Sequence, residues 1–200
     1  MINSSTGHRT LRSITAGAAI AVILVAVAGG LTSAYAGRTH THSVGMSAPP
    51  GRAALTLSTS SPALAACFPH ARARVTVALT ADAKGKDRFR IRVAGLQPHT
   101  TFTVFLLEKA TPPFGAAEYI GDLTTNSDGR AHNTYRLIVE EAFAFNNQTG
   151  TRTDLNSVGF WFADPRADDN CLGPNSPVTG FDGDASAGVQ MMNSGTQLLP

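Results

Sequence analysis

The sequence predicts an all-β domain, a single antiparallel β-sandwich, that follows an N-terminal signal or anchor helix. Three observations lead to this prediction: a long apolar segment near the N terminus, short segments in which apolar and polar residues alternate, and turn-forming residues between those segments. Alternation with a period of two is typical of a strand that buries one face. About seven such strands separated by turn signals are typical of an immunoglobulin-like sandwich or a near relative.

Residues 1–36 have the three parts of a bacterial secretory signal. Arg9 and Arg12 lie in a basic region, 14–31 is apolar, and small residues then end in an Ala-x-Ala pattern at Ala36. This order predicts cleavage after Ala36. The alternative is an uncleaved anchor that contacts the membrane only through 14–31, since about 18 apolar residues are close to the lower limit for a span. Both alternatives place the domain outside the cytoplasm, secreted or at the cell surface.

Residues 37–65 are rich in Gly, Ser, Thr, Ala and Pro and contain few large apolar side chains. This composition predicts a flexible linker. We therefore expect the sandwich domain at residues 66–195 and a frayed tail at 196–200.

The domain is predicted to open with a hairpin. Every second residue is apolar in 72–80 and again in 87–93, and Lys84-Gly85-Lys86 between them forms a turn. The two strands should therefore pair and present a row of arginines on their outward face. These arginines are Arg72, Arg74, Arg88, Arg90 and Arg92.

The later elements follow from the same signals. Residues 101–109 are apolar on both faces in their middle, which predicts a central strand. Asn126 to Gly129 predicts a turn, because an Asp-Gly pair tolerates positive φ. Further strands are expected at 118–125, 130–139, 157–163, which contains Trp161 as a core residue, and 188–192. Residues 140–154 remain open between a helical turn and an irregular strand, 164–178 are expected to form a long loop, and no helix is expected after the signal.

The chain has two cysteines, Cys67 and Cys171. Outside the cytoplasm, a pair of thiols in one domain most simply forms a disulfide. The closed loop of about 100 residues would contribute roughly 4–5 kcal/mol in the chain-entropy description. An alternative is that Leu64-Ala65-Ala66-Cys67 is a lipobox, in which Cys67 is lipidated.

Four segments carry a resemblance. G-L-Q-P-H-T-T-F-T-V-F-L-L-E at 95–108 is followed by P-P-F-G-A-A-E-Y-I-G-D-L-T-T-N-S-D-G-R at 112–130, and later by V-G-F-W-F-A-D-P and F-D-G-D-A-S-A-G-V-Q. Over residues 67–195 these segments resemble small secreted bacterial β-sandwich proteins of the immunoglobulin-like type. The resemblance implies export and fold, and it transfers no site residue.

The charges are unevenly distributed along the chain. Residues 38–92 hold nine Lys or Arg and two Asp, whereas 93–200 hold five Lys or Arg and twelve Asp or Glu. Two interpretations follow. Either the two parts neutralise each other in the fold, or the molecule is bipolar with a basic face.

The arginine row is the candidate ligand-binding surface. Arginine presents a planar fork that fits phosphate and carboxylate, so the row could hold an anionic cell-wall polymer, lipid or polysaccharide. The alternative is that these residues keep an open sheet face soluble and discourage edge pairing. Nucleic acid is not an expected partner, because no aromatic residues interleave with the arginines.

No catalytic residue is predicted. The motifs G-x-S-x-G, H-E-x-x-H and a Gly-rich phosphate loop are missing from the sequence, and His70, His99 and His132 are isolated from one another. We therefore expect no cofactor.

Asp182 and Asp184 are weak candidates for calcium. Calcium needs six to eight oxygen ligands, and the full EF-hand spacing does not occur here. Asp164, Asp168 and Asp169 could supply more oxygens if the fold brought them near. The sequence nevertheless predicts no metal-binding site.

Three functional hypotheses remain. The first is an exported, non-enzymatic module that binds an anionic envelope polymer or displays a protein-binding surface. The second is a secreted metal-dependent or hydrolytic enzyme of unrecognised type. The third is a purely structural envelope component.

Overall fold

The structure of the chain is a computed structural model that describes residues 51–79, 86–182 and 185–200. About half of these residues are in strands, so the all-β prediction is confirmed. The expectation that no helix follows the signal is wrong, because two short helices lie among them. The predicted signal or anchor lies outside the described residues. The strands are β1 (Arg52–Thr59), β2 (Arg72–Ala78), β3 (Asp87–Ala94), β4 (Thr101–Leu107), β5 (Ala117–Thr124), β6 (Ala131–Leu137), β7 (Phe143–Asn146), β8 (Thr151–Asp154), β9 (Ser157–Phe162), β10 (Thr179–Asp182), β11 (Ala185–Ala187) and β12 (Gln190–Asn193). The helices are α1 (Pro62–Cys67) and α2 (Asp169–Leu172), the latter preceded by a 3₁₀ turn at Pro165–Asp168.

Eight strands form one antiparallel sheet in the order β5-β4-β9-β12-β1-β2-β3-β6, which curls until it is nearly closed. It has two parts, the first half-sheet (β1, β2, β3 and β6) and the second half-sheet (β5, β4, β9 and β12). They join where β1 pairs with β12 through only two residue pairs, Ser58–Asn193 and Thr59–Met192. Apolar side chains from both half-sheets form the main core between them.

Side-chain hydrogen bonds connect the two half-sheets at both places where strand pairing between them is short or missing, beside β1 and between β5 and β6. Beside β1, the Gln197 amide accepts from the Thr56 N–H and donates to the Thr56 carbonyl, each at 3.0 Å. Between β5 and β6, the Tyr135 hydroxyl and the Asn133 amide both donate to the Asp122 carbonyl, at 2.6 and 3.1 Å. Burial raises the pKa of the Tyr135 phenol to about 12, because the ionised form loses its hydration there.

The predicted hairpin and the predicted central strand are both confirmed. β2 and β3 pair antiparallel from Arg72 opposite Ala94 to Ala78 opposite Arg88. Residues 84 and 85 of the predicted turn lie outside the described residues. β4 lies between β5 and β9, and every residue from 102 to 107 is buried.

The predicted turn at Asn126 to Gly129 is also confirmed. The Asn126 side chain accepts from the N–H groups of Asp128 and Arg130, both at 3.0 Å. Gly129 has a φ of 65°, and a Cβ there would lie 2.0 Å from the carbonyl oxygen of Leu96. Only glycine fits this conformation and this contact.

The predicted linker is wrong in its C-terminal part. β1 and α1 occupy Arg52–Thr59 and Pro62–Cys67, so the folded domain begins well before residue 66; residues 37–50 lie outside the described residues. β1 was missed because only Leu55 and Leu57 mark its inward face, both almost fully buried. Pairing with β2 supplies most of the remaining support for this strand.

The predicted frayed tail is also wrong. Leu199 is 3% exposed and packs in the core, and its N–H donates to the Asn156 carbonyl at 2.7 Å. Two adjacent leucines in a short terminal stretch, Leu198 and Leu199, give too weak a periodic signal to predict that one of them packs in the core.

The two segments that were predicted least precisely contain regular structure. The open segment 140–154 forms a hairpin of β7 and β8. The expected loop 164–178 contains the 3₁₀ turn and α2, which begin where the Asp164 side chain accepts from the Arg166 N–H. Aspartate is a preferred capping residue for this reason.

The predicted disulfide is confirmed. Cys67 at the end of α1 is bonded to Cys171 in α2, with Cα atoms 5.8 Å apart. Because the two sulfur atoms are joined to each other, the lipobox alternative does not describe Cys67 in this structure. Of the helices in the described ranges, neither is long and apolar enough to cross a membrane.

Candidate functional site: the arginine face of the first half-sheet

Seven arginines lie on the outward side of the first half-sheet, which we call the cationic face. The pairing register places them on the same side of neighbouring strands. All are exposed except Arg90, which is half-buried at the centre. They are Arg52, Arg72, Arg74, Arg88, Arg90, Arg92 and Arg136.

Burial of the opposite side sets this orientation. Val75, Phe89 and Ile91 have no exposed surface and point into the core. Each contributes about 1.5–3 kcal/mol through burial. A register shift of one residue would bury the arginines and expose these side chains, so the sequence allows only one orientation.

The register brings arginines from different strands together. Arg74 on β2 lies directly opposite Arg92 on β3, and Arg88 on β3 lies directly opposite Arg136 on β6. Like charges directly opposite each other destabilise a sheet. The free protein therefore maintains an unfavourable concentration of positive charge at this face.

Threonines lie among the arginines of the cationic face. Thr76 on β2 and Thr134 on β6 flank Arg90, and Thr56 on β1 lies opposite Arg74. A hydroxyl can donate to an anion or accept from a guanidinium. The face thus presents cations and small hydroxyl groups together.

Arg92 links three shallow depressions of the surface. A depression of about 510 Å³ is lined by Arg52, Arg74, Arg88, Arg90 and Arg92 together with Thr76. Arg92 also borders one of about 330 Å³ next to Arg72 and one of about 380 Å³ next to Arg130 and His132. The three depressions therefore share Arg92 as a common border on this face.

Acidic residues do not line the cationic face in the ranges that the structure describes. Three ion pairs within 4.0 Å in these ranges join residues one or two positions apart, Glu108 to Lys109, Asp154 to Arg152 and Asp164 to Arg166, and none of the three includes an arginine of the cationic face. Among the described residues the arginines of the first half-sheet therefore form a basic face, and the bipolar interpretation of the whole charge distribution stays a prediction.

Sequence reasoning identified five of the seven arginines. Arg52 was missed because it fell in the predicted linker. Arg136 was missed because the strand order, which brings β6 beside β3, could not be read from the pattern. The alternation of His132, Thr134 and Arg136 was the signal that could have placed Arg136 on an outward face.

The calcium candidates are only partly described. Asp184 lies outside the described residues, and the structure describes the backbone of Asp182 but not its side chain. Asp168 is fully buried, and its carboxylate accepts from the Ser176 hydroxyl and, at 2.9 Å, from the Val189 N–H. Through these contacts Asp168 holds the loop at Ser176 close to Val189, the residue before β12.

Asp164 also has a local partner. The N–H of Arg166 donates to its carboxylate, which lowers the pKa of Asp164. Across the part of the chain that is described, no three His, Cys, Asp or Glu side chains come together as metal ligands would.

Comparison with known proteins does not assign the chain to a family. No family model matches the chain, and no curated protein matches it significantly.

Proposed function

We propose that this chain is an exported, non-enzymatic domain, secreted or at the cell surface, that holds an anionic polymer of the envelope on its cationic face. The observation that carries this proposal is the continuous set of arginines on the first half-sheet, with no acidic partner among the described residues. Guanidinium groups form paired, charge-assisted hydrogen bonds with phosphate and carboxylate. A bound polyanion would also relieve the repulsion between Arg74 and Arg92.

Export is part of the same proposal. It is supported by the signal pattern of residues 1–36 and by the disulfide between Cys67 and Cys171. Structural disulfides persist mainly outside the cytoplasm.

We also propose that the two half-sheets correspond to the layers of an immunoglobulin-like sandwich. Each has four antiparallel strands, and the main core lies between them. Aligned packing of two antiparallel sheets is the basis of that architecture.

The test is sedimentation of the full chain, in mild nonionic detergent, with isolated cell envelope. The chain should sediment with the envelope at low salt and be released at high salt, because charge contacts are screened. The variant Arg88→Glu/Arg90→Glu/Arg92→Glu should remain in the supernatant. The fluorescence of the buried Trp161 shows whether each variant is folded.

A matched control reverses three cations outside the cationic face. Lys109→Glu/Arg152→Glu/Arg166→Glu makes the same change in net charge at exposed positions. It should sediment as the parent chain does. Equal loss in both variants, or no retention of the parent chain at any salt, would reject the cationic face as the binding site.

Display of a protein-binding surface is the second candidate, and the hairpin of β7 and β8 favours it. Phe143 and Phe145 lie on one face of this hairpin and are 45% and 53% exposed, with the Arg152 guanidinium 4.2 Å from the Phe143 ring centroid. Exposed aromatic residues are enriched at interfaces. Loss of envelope retention in Phe143→Ser/Phe145→Ser, with retention intact in the triple arginine variant, would support this candidate instead.

A further inference from the structure

The spacing of the arginines along β3 matches a particular class of polymer. Arg88, Arg90 and Arg92 occupy every second position of one strand and point to the same side of the sheet. Strand geometry places such positions about 6.7 Å apart. The strand therefore presents three cations in a line at nearly equal intervals.

Resting on the proposed function, we infer that the ligand is a linear phosphodiester polymer of acyclic units, with six backbone bonds between successive phosphorus atoms, lying along β3. An extended peptide advances at most about 3.6 Å for every three backbone bonds, so a six-bond repeat advances about 7 Å. Poly(glycerol phosphate) has such a repeat. One phosphate then falls opposite each arginine of β3 without bending the polymer.

The neighbouring strands supply a second donor at each of the three positions. Arg136 lies beside Arg88, and Arg74 lies beside Arg92. At the middle position, Thr76 and Thr134 lie on either side of Arg90. Each phosphate, which carries two unesterified oxygens, therefore meets at least two donor groups.

The outward side chains of the first half-sheet argue against ring-bearing polymers. In the described strands they are Arg, Thr, Ser, Ala and one histidine, His132, with no Phe, Tyr or Trp among them. Sequence-tolerant binding of single-stranded nucleic acid uses aromatic side chains on which bases stack. The faces of sugar rings likewise have no aromatic surface here to pack against. A flexible phosphodiester chain needs only charge and hydroxyl contacts.

The test compares four labelled polyanions of equal charge by fluorescence anisotropy with the full chain. They are oligo(glycerol phosphate), oligo(hexanediol phosphate), oligogalacturonate and oligothymidylate. Hexanediol lengthens the repeat to nine bonds, about 11 Å when extended, so its phosphates fall out of step with the arginines. We expect oligo(glycerol phosphate) to bind about tenfold more tightly than each of the others.

Variants test the contacts of the middle position. Arg90→Gln should weaken binding of oligo(glycerol phosphate) and reduce the slope of log affinity against log salt by about 0.7, the value for one contact with a single-stranded polyanion. Arg90→Lys should retain the slope and lose part of the affinity, because an ammonium lacks the guanidinium fork. Arg152→Gln, outside the cationic face, should change neither quantity.

The outcomes separate this inference from the proposed function. If oligo(hexanediol phosphate) or oligogalacturonate bound as tightly as oligo(glycerol phosphate), the assignment of a six-bond phosphodiester ligand would be overturned. The cationic face would then remain a general anion-binding surface. Tighter binding of oligothymidylate would overturn it in favour of nucleic acid. No binding of any of the four would contradict both the inference and the proposed function.

Discussion

Replacing Arg92 with glutamine should make the free protein more stable at low salt. Arg92 lies directly opposite Arg74 and two residues from Arg90 on the same strand. Directly opposed side chains have Cβ atoms about 5 Å apart, and alternate positions on one strand are about 7 Å apart. Two unit charges in water repel by about 0.8 kcal/mol at the shorter distance and by about 0.6 kcal/mol at the longer one.

Allowing for lost contacts of the arginine stem, the free energy of unfolding should rise by about 1 kcal/mol at about 0.01 M salt, or about 3 °C in Tm. The gain should disappear near 1 M salt, where the screening length falls to about 3 Å. Thermal unfolding at the two salt concentrations measures both effects. Arg152→Gln is the control, since Arg152 lies 2.9 Å from Asp154 and its loss should stabilise nothing. A destabilised Arg92→Gln at low salt, or a gain that persists at 1 M, would refute the reasoning.

Three further predictions concern the disulfide, the tyrosine between β5 and β6, and a buried carboxylate. Cys67→Ser/Cys171→Ser should lower the free energy of unfolding by about 4 kcal/mol, and an unchanged urea midpoint would count against this. The raised pKa of Tyr135 makes its contribution to stability complete below pH 10 and lost as the pH rises toward 12. In urea unfolding between pH 9 and 12, the parent chain should therefore lose about 1 kcal/mol more than Tyr135→Phe, after allowance for partial exposure; equal losses would contradict the burial argument. Asp168→Asn should cost about 1–3 kcal/mol, because an amide cannot replace both carboxylate oxygens that accept from Ser176 and the Val189 N–H, and thermal unfolding at unchanged Tm would show otherwise.

Local patterns predicted the elements whose burial alternates strongly. The β2–β3 hairpin and β4 were placed correctly, because Val75, Phe89 and Ile91 alternate with arginines and β4 is apolar on both faces. β1 was not predicted, since two leucines in a polar segment carry little periodic signal. The stability of β1 depends on its pairing with β2. A pattern within the β1 segment alone cannot predict that pairing.

The cationic face was predicted in part for the same reason. Arginines on adjacent strands joined by a short connection could be grouped, as Arg74 and Arg92 were. Arg136 reaches the face through the pairing of β3 with β6, strands separated by two others along the chain. Such pairing depends on the topology of the whole sheet, which the sequence pattern leaves open.

The most direct test of the cationic face is its protection by bound polymer. Phenylglyoxal modifies accessible arginines, and mass spectrometry of the digested protein measures each site. With the anionic polymer released from isolated envelope, Arg74, Arg88 and Arg92 should be modified several-fold more slowly than without it, while Arg152 and Arg166 should react at unchanged rates. Equal rates at all five arginines with and without the polymer would contradict the proposal that this face is where the protein binds.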